Sequence, residues 1–569
     1  MLSQVQGASL TAIDNITIVL FIGLLLFIIK AVSKQATDMD SYYRANKSLP
    51  WSLAVGTIAA SWFGGNGVIG TVGYAGGMGM AAWFIWSIGA HLSRFPLALW
   101  VAPRISVKIN GTMVELLERF YGKFAAILGA IVLVCGALSI SELASAGYIG
   151  IAAWNADKFL VAIITLAISV ILASMGGLMG VAITDMIFFF LMINAVALVF
   201  PQALSMIGGM KGMEAALNAV DPSLMTPFGG IAPGKAIVLV LLCVNMYKDP
   251  AFYQRFAASN GPKTGKRAML TCFSLWLTME VCLMLTGMII RCLDPMYTVQ
   301  PEVLYIQLVL SYLPPVARGL FIVAMFGAII STIDTYYLIG GEIVANDIVG
   351  KLRKTPLTDR QSIRIAQVSM VVFGIIALSC CFKFTLVYDA VILLSSLSMS
   401  VLFWPVLIAI MYDGKKTNMA GILSMVVGIA AWLWFKFFPV SVEALGGQLD
   451  PVLLALPLSL AGYLIGNRFG KVLATSVSDA AEKGVAVDGT LVIGSEEYKR
   501  EMKVEWLGYD GAMCLLYAVL ALLIGYGMLA RVDWIIGAFV PAFCALVTTG
   551  IFVRYLFEVF TFGRTGGKK

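Results

Sequence analysis

Apolar positions in this chain run in long unbroken blocks rather than alternating with polar ones. About fifteen blocks follow one another, most of them near the roughly 20 residues that carry a helix across a hydrocarbon core. They cover residues 16–29, 51–74, 80–101, 124–149, 160–174, 181–201, 237–247, 269–290, 316–339, 365–381, 386–411, 422–438, 452–465, 511–529 and 534–557. Lipid offers no partner to a backbone N–H or C=O, so each block must be helical or covered by protein. The pattern predicts an all-α polytopic membrane protein embedded in a lipid bilayer. Asp14, with no basic residue before it, precedes the first block, which therefore reads as a retained span rather than a cleaved signal.

The polar connections divide into two sets. One holds Lys30, Lys34, Arg44 and Lys47, then Arg104, Lys108, Arg119 and Lys123, then Lys263, Lys266 and Arg267. It continues with Lys351, Arg353, Lys354, Arg360 and Arg364, and with Lys415 and Lys416. The alternate set has isolated cations at Lys158, Lys211, Arg291 and Lys383. The rich side is cytoplasmic, which puts the N-terminus outside and, for an odd number of spans, the C-terminus inside with Arg564, Lys568 and Lys569.

Composition narrows the function classes. Hydrophobic residues make up 60% and charged residues 12%, and the mean hydropathy is +0.90, where a soluble chain would carry about a quarter charged residues. The net charge of +7 is accounted for by the cytoplasmic loops and implies no nucleic acid. The nine cysteines show no CxxC spacing and read as buried thiols, and a single histidine, His91, argues against a multi-histidine metal centre. Nothing resembles a nucleotide loop, a nucleophile pair or a metal cluster, so the chain does not read as an enzyme, and no obligatory protein partner is evident.

Two blocks contain breaks. Residues 59–67 read AASWFGGNG, three glycines around Asn66, which weaken a helix at mid-membrane. Residues 245–250 read NMYKDP, where Pro250 removes a donor and clashes with the preceding turn. Paired interruptions about five spans apart are the sequence signature of a transporter site at an inverted-repeat interface. The plainer reading is that the glycines serve helix packing and Pro250 ends a helix at the interface. In the ninth block Ser331, Asp334 and Thr335 share a helical face, with Thr332 at its edge. Hydroxyls can instead bond back to the preceding turn, but a carboxylate in mid-span costs about 2.5–3.5 kcal/mol and is functional by default. Asp185 follows Thr184 at the start of the sixth block, as a site residue or a helix cap. Glu142, Glu280, Arg94, Asp389 and Glu342 are further ionisable groups in or beside apolar blocks.

Five segments in order resemble the sodium/solute symporter family, which includes sodium–proline, sodium–glucose and sodium–sialic acid symporters. They are 41–50 (SYYRANKSLP), 112–122 (TMVELLERFYG), 176–185 (GGLMGVAITD), 249–258 (DPAFYQRFAA) and 331–335 (STIDT) with 346–348 (NDI). The resemblance implies a leucine-transporter-type core of five plus five inverted helices with extra N- and C-terminal helices, in a plasma membrane, the bacterial inner membrane. With the apolar blocks and the one long polar stretch, it divides the chain into an extra span (1–35), the transport core (38–411), additional spans (412–469), a cytoplasmic linker (470–508) and two C-terminal spans with a tail (509–569). It implies one or two sodium ions. The ligands of one would be the carbonyls of Ala60, Phe63 and Ala328 and the hydroxyls of Ser331 and Thr332; candidates for a second are Asp185, Ser331, Asp334 and Thr335.

Trp62, Gly64 and Gly67 stand where the family often has polar residues, and its sugar- and proline-binding side chains are not reproduced. Trp62, Gly64, Gly65, Asn66, Gly67, Trp86, Glu142, Asn245, Tyr247 and Lys248 are the candidate solute contacts. Lys248 favours a carboxylate or sulfonate and Glu142 an amine, which together fit an organic acid, an amino acid or a similar zwitterion. Lys248 paired structurally with Glu142 or Asp249 is the alternative. A sodium-coupled symporter working by alternating access is the expectation; a proton-coupled transporter of the same fold, titrating Asp185 or Asp334, and a transporter-like solute sensor are the rivals.

Overall fold

The computed structural model describes residues 9–33, 39–108, 112–229, 231–384, 386–412, 414–473 and 503–565, with Leu2 and Val5. Most of the expected linker, and Lys34, Lys568 and Lys569, lie outside the described residues. Its regular elements are helices, apart from a ribbon pairing Ser441–Val442 with Gly447–Gln448.

Ten helices are long and apolar enough to cross a membrane, or eleven when one bent pair counts as a span. The expected number of about fifteen is not reached on this measure. The difference lies in blocks that form short or interrupted helices and in one whose helix is long but less apolar. Blocks 16–29 and 160–174 become the shorter apolar helices Ala12–Ile28 and Lys158–Ser174. Block 51–74 breaks after Trp62 and resumes as Asn66–Gly70 and Thr71–Met78, whereas block 80–101 stays helical without interruption over residues 82–108 and falls short in apolar character rather than length.

The elements that build the interior are α1 (Trp51–Trp62), α2 (Thr71–Met78), α3 (Ile140–Trp154), α4 (Lys158–Met206), α5 (Pro233–Cys243), α6 (Pro250–Ala258), α7 (Pro262–Leu293), α8 (Ala317–Glu342) and α9 (Val387–Met411). The apolar stretch of α7 is wholly buried and packs on α1 and α2, while α4 packs on α8 and α1. The last two helices, α10 (Gly511–Leu529) and α11 (Val540–Thr565), lie against α7. The segment leading into α10 is tied to α7 by polar contacts: Lys266 Nζ lies 2.6 Å from Asp510 and Arg267 meets both Glu505 oxygens at 2.6 and 3.0 Å.

Both sequence breaks are real. Helix α1 ends at Phe63 (φ −97°, ψ 57°) and the chain re-enters a helix through the wide turn Asn66–Gly70. Helices α5 and α6 meet at a bend of 43°. There Val244–Lys248 tightens into a 3-10 turn, Asp249 is extended, and its carboxylate accepts the Ala251 N–H at 2.9 Å. Pro250 takes the first helical position, where its missing N–H costs nothing.

A third break went unpredicted. Blocks 160–174 and 181–201 both fall in α4, interrupted at Gly177 (φ 54°, ψ −168°). Only glycine occupies that region without strain, and a Cβ here would sit 2.7 Å from the Tyr42 carbonyl oxygen. Gly177→Ala should therefore cost about 1–3 kcal/mol, seen as a lower melting temperature in detergent; an unshifted melting curve would contradict this account of the turn.

Candidate cation and solute site

A cavity of about 170 Å³ lies between the two broken spans. Trp62, Asn66, Gly67, Trp86, Glu142, Asn245 and Lys248 from the predicted solute set line it. Gly64, Gly65 and Tyr247 do not. Tyr247 turns away and donates its hydroxyl to the Ser93 carbonyl at 2.7 Å. Gly64 and Gly65 are packing positions: Cβ atoms there would fall 2.4 Å from Thr332 Oγ1 and 2.6 Å from both Ile329 Cγ1 and Ser145 Cβ. The packing reading of those glycines and the broken-helix reading thus both hold.

Glu142 does not pair with Lys248. It sits in the first turn of α3, 1% exposed, and accepts the Gly65 N–H at 2.6 Å and the Asn66 N–H at 3.3 Å. A continuous helix would give those two amides to Ser61 and Trp62. Lys248 Nζ donates to Ser398 Oγ at 2.5 Å, and among the described residues no carboxylate oxygen lies within 4.0 Å of it. Asp249, capping α6, accepts the Tyr336 hydroxyl at 2.8 Å instead. Asn245 Oδ1 is buried without a hydrogen-bond partner.

Structure adds Glu280, Tyr388 and Ser398 to the cavity wall, with Arg94 behind Trp62, none of which had an assigned role in the sequence. Glu280 accepts from Ser87 Oγ at 2.5 Å and Trp62 Nε1 at 3.4 Å. Arg94 lies 3.9 Å from the Trp62 ring centre, its two terminal nitrogens without hydrogen-bond partners. Tyr388 packs edge-on to Trp86, 4.8 Å between ring centres. An ionisable side chain in an apolar block was the one visible signal for Arg94 and Glu280; Tyr388 and Ser398 carried none.

Gly64 brings the α1 break directly against α8. Ala60 and Phe63 on one side, and Ala328, Ser331 and Thr332 on the other, are all buried, and Thr332 Oγ1 donates back to the Ala328 carbonyl at 2.9 Å. The second group converges on an arginine. Asp185 accepts from Thr57 Oγ1 at 2.5 Å and from Ser331 Oγ, and its Oδ2 lies 3.5 Å from Arg255 Nη2. Arg255 also donates to Thr335 Oγ1 at 2.7 Å and to Thr57 Oγ1 at 2.9 Å. Asp334 stays out of this network, with Oδ1 buried and unpartnered.

The profile of the Sodium:solute symporter family matches residues 42–428. The chain belongs to that family. Its relatives include the sodium/pantothenate symporters of Haemophilus influenzae (23% identical, covering 76% of this chain and 91% of the relative) and Escherichia coli (23%, 79% and 94%). The osmoregulated proline transporter of Bacillus subtilis is 24% identical over 60% of this chain and 72% of its own. A Na+-coupled sialic acid symporter structure, 17% identical, superposes with a TM-score of 0.67 over 82% of this chain and 99% of that one. The core is therefore of the leucine-transporter type, in a multi-pass membrane transporter of the sodium:solute symporter family.

In this family member the Asp185–Arg255 pair is fully buried. Breaking such a pair strands a charge, at a cost of about 3–5 kcal/mol. Arg255→Ala should lower the melting temperature sharply, and adding Asp185→Asn should recover part of the loss; a double variant as damaged as the sum of both singles would contradict direct pairing.

Proposed function

We propose that this symporter imports a small carboxylate, amino acid or similar zwitterion with sodium across a bacterial inner membrane, N-terminus outside and C-terminus cytoplasmic. The sodium-coupled relatives and the loop charges support the coupling and the setting. The observation that carries the solute class is Lys248, a cavity-lining ammonium bonded to a neutral serine. The solute's anionic end meets Lys248, and Asn245 Oδ1, buried and unpartnered, with Glu280 accepts from its amine or hydroxyl.

Sodium binds in this reading among Ala60, Phe63, Ala328, Ser331 and Thr332. It bridges the α1 break to α8, steadying the arrangement in which the solute site faces outward; occupation of both sites then lets one bundle rock against the other. A membrane potential of about 100 mV supplies about 2.3 kcal/mol per charge, and a roughly tenfold sodium gradient adds about 1.4 kcal/mol. One ion thus supports accumulation of a neutral zwitterion by roughly several hundredfold.

One sodium per cycle is the reading favoured for the stoichiometry, because the Arg255 guanidinium stands beside Asp185, Ser331 and Thr335 and supplies a fixed cation there. A proton-coupled cycle is the second reading, favoured by the orphaned Asp334 oxygen. Proteoliposomes under an imposed inward sodium gradient, offered labelled carboxylates, amino acids and sugars, test the set. Uptake should require sodium, with a Hill slope near 1. Ser331→Ala and Thr332→Ala should raise half-saturating sodium about tenfold or more, and Lys248→Ala should raise KM for the anionic solute about tenfold or more. Sodium-free uptake driven by a pH gradient would decide for the proton, and an unchanged KM in Lys248→Ala would remove the carboxylate assignment.

A further inference from the structure

Glu142 is a buried carboxylate with no cation beside it. Among the described residues no Lys, Arg or His nitrogen lies within 4.0 Å of its oxygens; its partners are the Gly65 and Asn66 amides. Neutral donors orient a carboxylate but leave its charge uncompensated, and an isolated buried charge is costly. A compensating cation has one evident place to sit. Only the missing side chain of Gly64 separates Glu142 from α8, and no methyl fits between them: a Cβ there would lie 2.8 and 2.9 Å from the two Glu142 oxygens and 2.4 Å from Thr332 Oγ1. The carboxylate thus stands immediately across Gly64 from a hydroxyl of the proposed sodium site, inside protein, where charge interactions are weakly screened.

We propose that Glu142 is the counter-charge of the transported sodium: a positioning residue that holds the α1 break open through two amides and attracts the ion across Gly64 without coordinating it. Glu142 thereby occupies the positive end of the half-helix that begins at Asn66, where a solute carboxylate would otherwise bind. The solute's anionic end is left to Lys248, and Glu142 is not its amine receptor. The proposal rests on the sodium site read above, and its test separates the two.

Purified protein in detergent is titrated with sodium chloride against choline chloride at constant ionic strength, with radiolabelled sodium binding and thermal stabilisation as readouts. Glu142→Gln keeps an acceptor for Gly65 and removes the charge. It should raise half-saturating sodium about tenfold, the order expected for a charge about two contacts away at intermediate dielectric. Its melting temperature without sodium should stay the same or rise. Glu142→Asp keeps the charge and shortens the reach, and should bind sodium within about threefold of the parent. Wild-type sodium affinity in Glu142→Gln, alongside weakened affinity in Thr332→Ala, overturns the counter-charge and leaves the sodium site standing. Unchanged affinity in both variants overturns the site and the counter-charge together. Equal loss in Glu142→Gln and Glu142→Asp, with lower sodium-free stability in both, also overturns it, as the mark of a merely structural side chain. If Glu142→Gln does not fold, the Asp variant decides: loss of sodium binding beyond tenfold in a folded protein refutes a long-range charge effect.

Discussion

The structure turns on two amide hydrogens. A helix that stops in mid-membrane leaves N–H groups that neither lipid nor water can satisfy, each at several kcal/mol. Here the Gly65 and Asn66 amides go to the Glu142 carboxylate, and the α1 break becomes a stable feature rather than a defect. Phe63 can then leave helical geometry, Gly64 can let Thr332 approach, and Asn66 and Gly67 can face a cavity. Replacing Glu142 with an aliphatic side chain would remove the acceptor that makes the other three compatible.

Buried charges in the interior follow two regimes. Asp185 and Arg255 close on each other with Thr57, Ser331 and Thr335 filling their remaining valences. A satisfied network of that kind rigidifies, and it ties α1, α4, α6 and α8 together behind the break. Lys248, Asn245, Asp334 and Glu142 are left incomplete, bonded to neutral groups or to nothing. In the proposed reading, cargo completes the hydrogen-bond and charge balance of these groups. The two regimes differ in satisfaction and not in burial, and Ser331 stands in both the closed network and the proposed sodium set.

Much of the architecture was legible in the residues. Gly64, Gly65 and Gly67 and the Asp249–Pro250 pair marked both broken spans, because glycine weakens and proline interrupts a helix whatever surrounds it. The match over residues 42–428 agrees with the five motif segments. Gly177 escaped because a glycine between two apolar blocks also reads as an ordinary connection, and its positive φ is invisible in sequence. The number of spans was counted from apolar blocks, whereas a crossing needs a helix both uninterrupted and apolar along its whole length; the helix through residues 82–108 is long enough but carries His91 and Arg94. Seven of the ten solute candidates reached the cavity wall; Tyr247, adjacent to Lys248, did not, because in the tight Val244–Lys248 turn neighbouring side chains diverge.

By itself the sequence determined the membrane class, the order of helices and where two of them fail. Those properties follow from the composition of contiguous stretches and from backbone preferences that act over a few residues. Which charges meet was decided by the tertiary structure alone. Glu142 stands 77 residues from Gly65 and Ser331 stands 146 from Asp185, and no local rule links such positions. Charge pairing inside a membrane protein depends on Coulomb and hydrogen-bond terms that act across packed helices, and the packing chose Arg255 for Asp185 and left Lys248 and Glu142 apart.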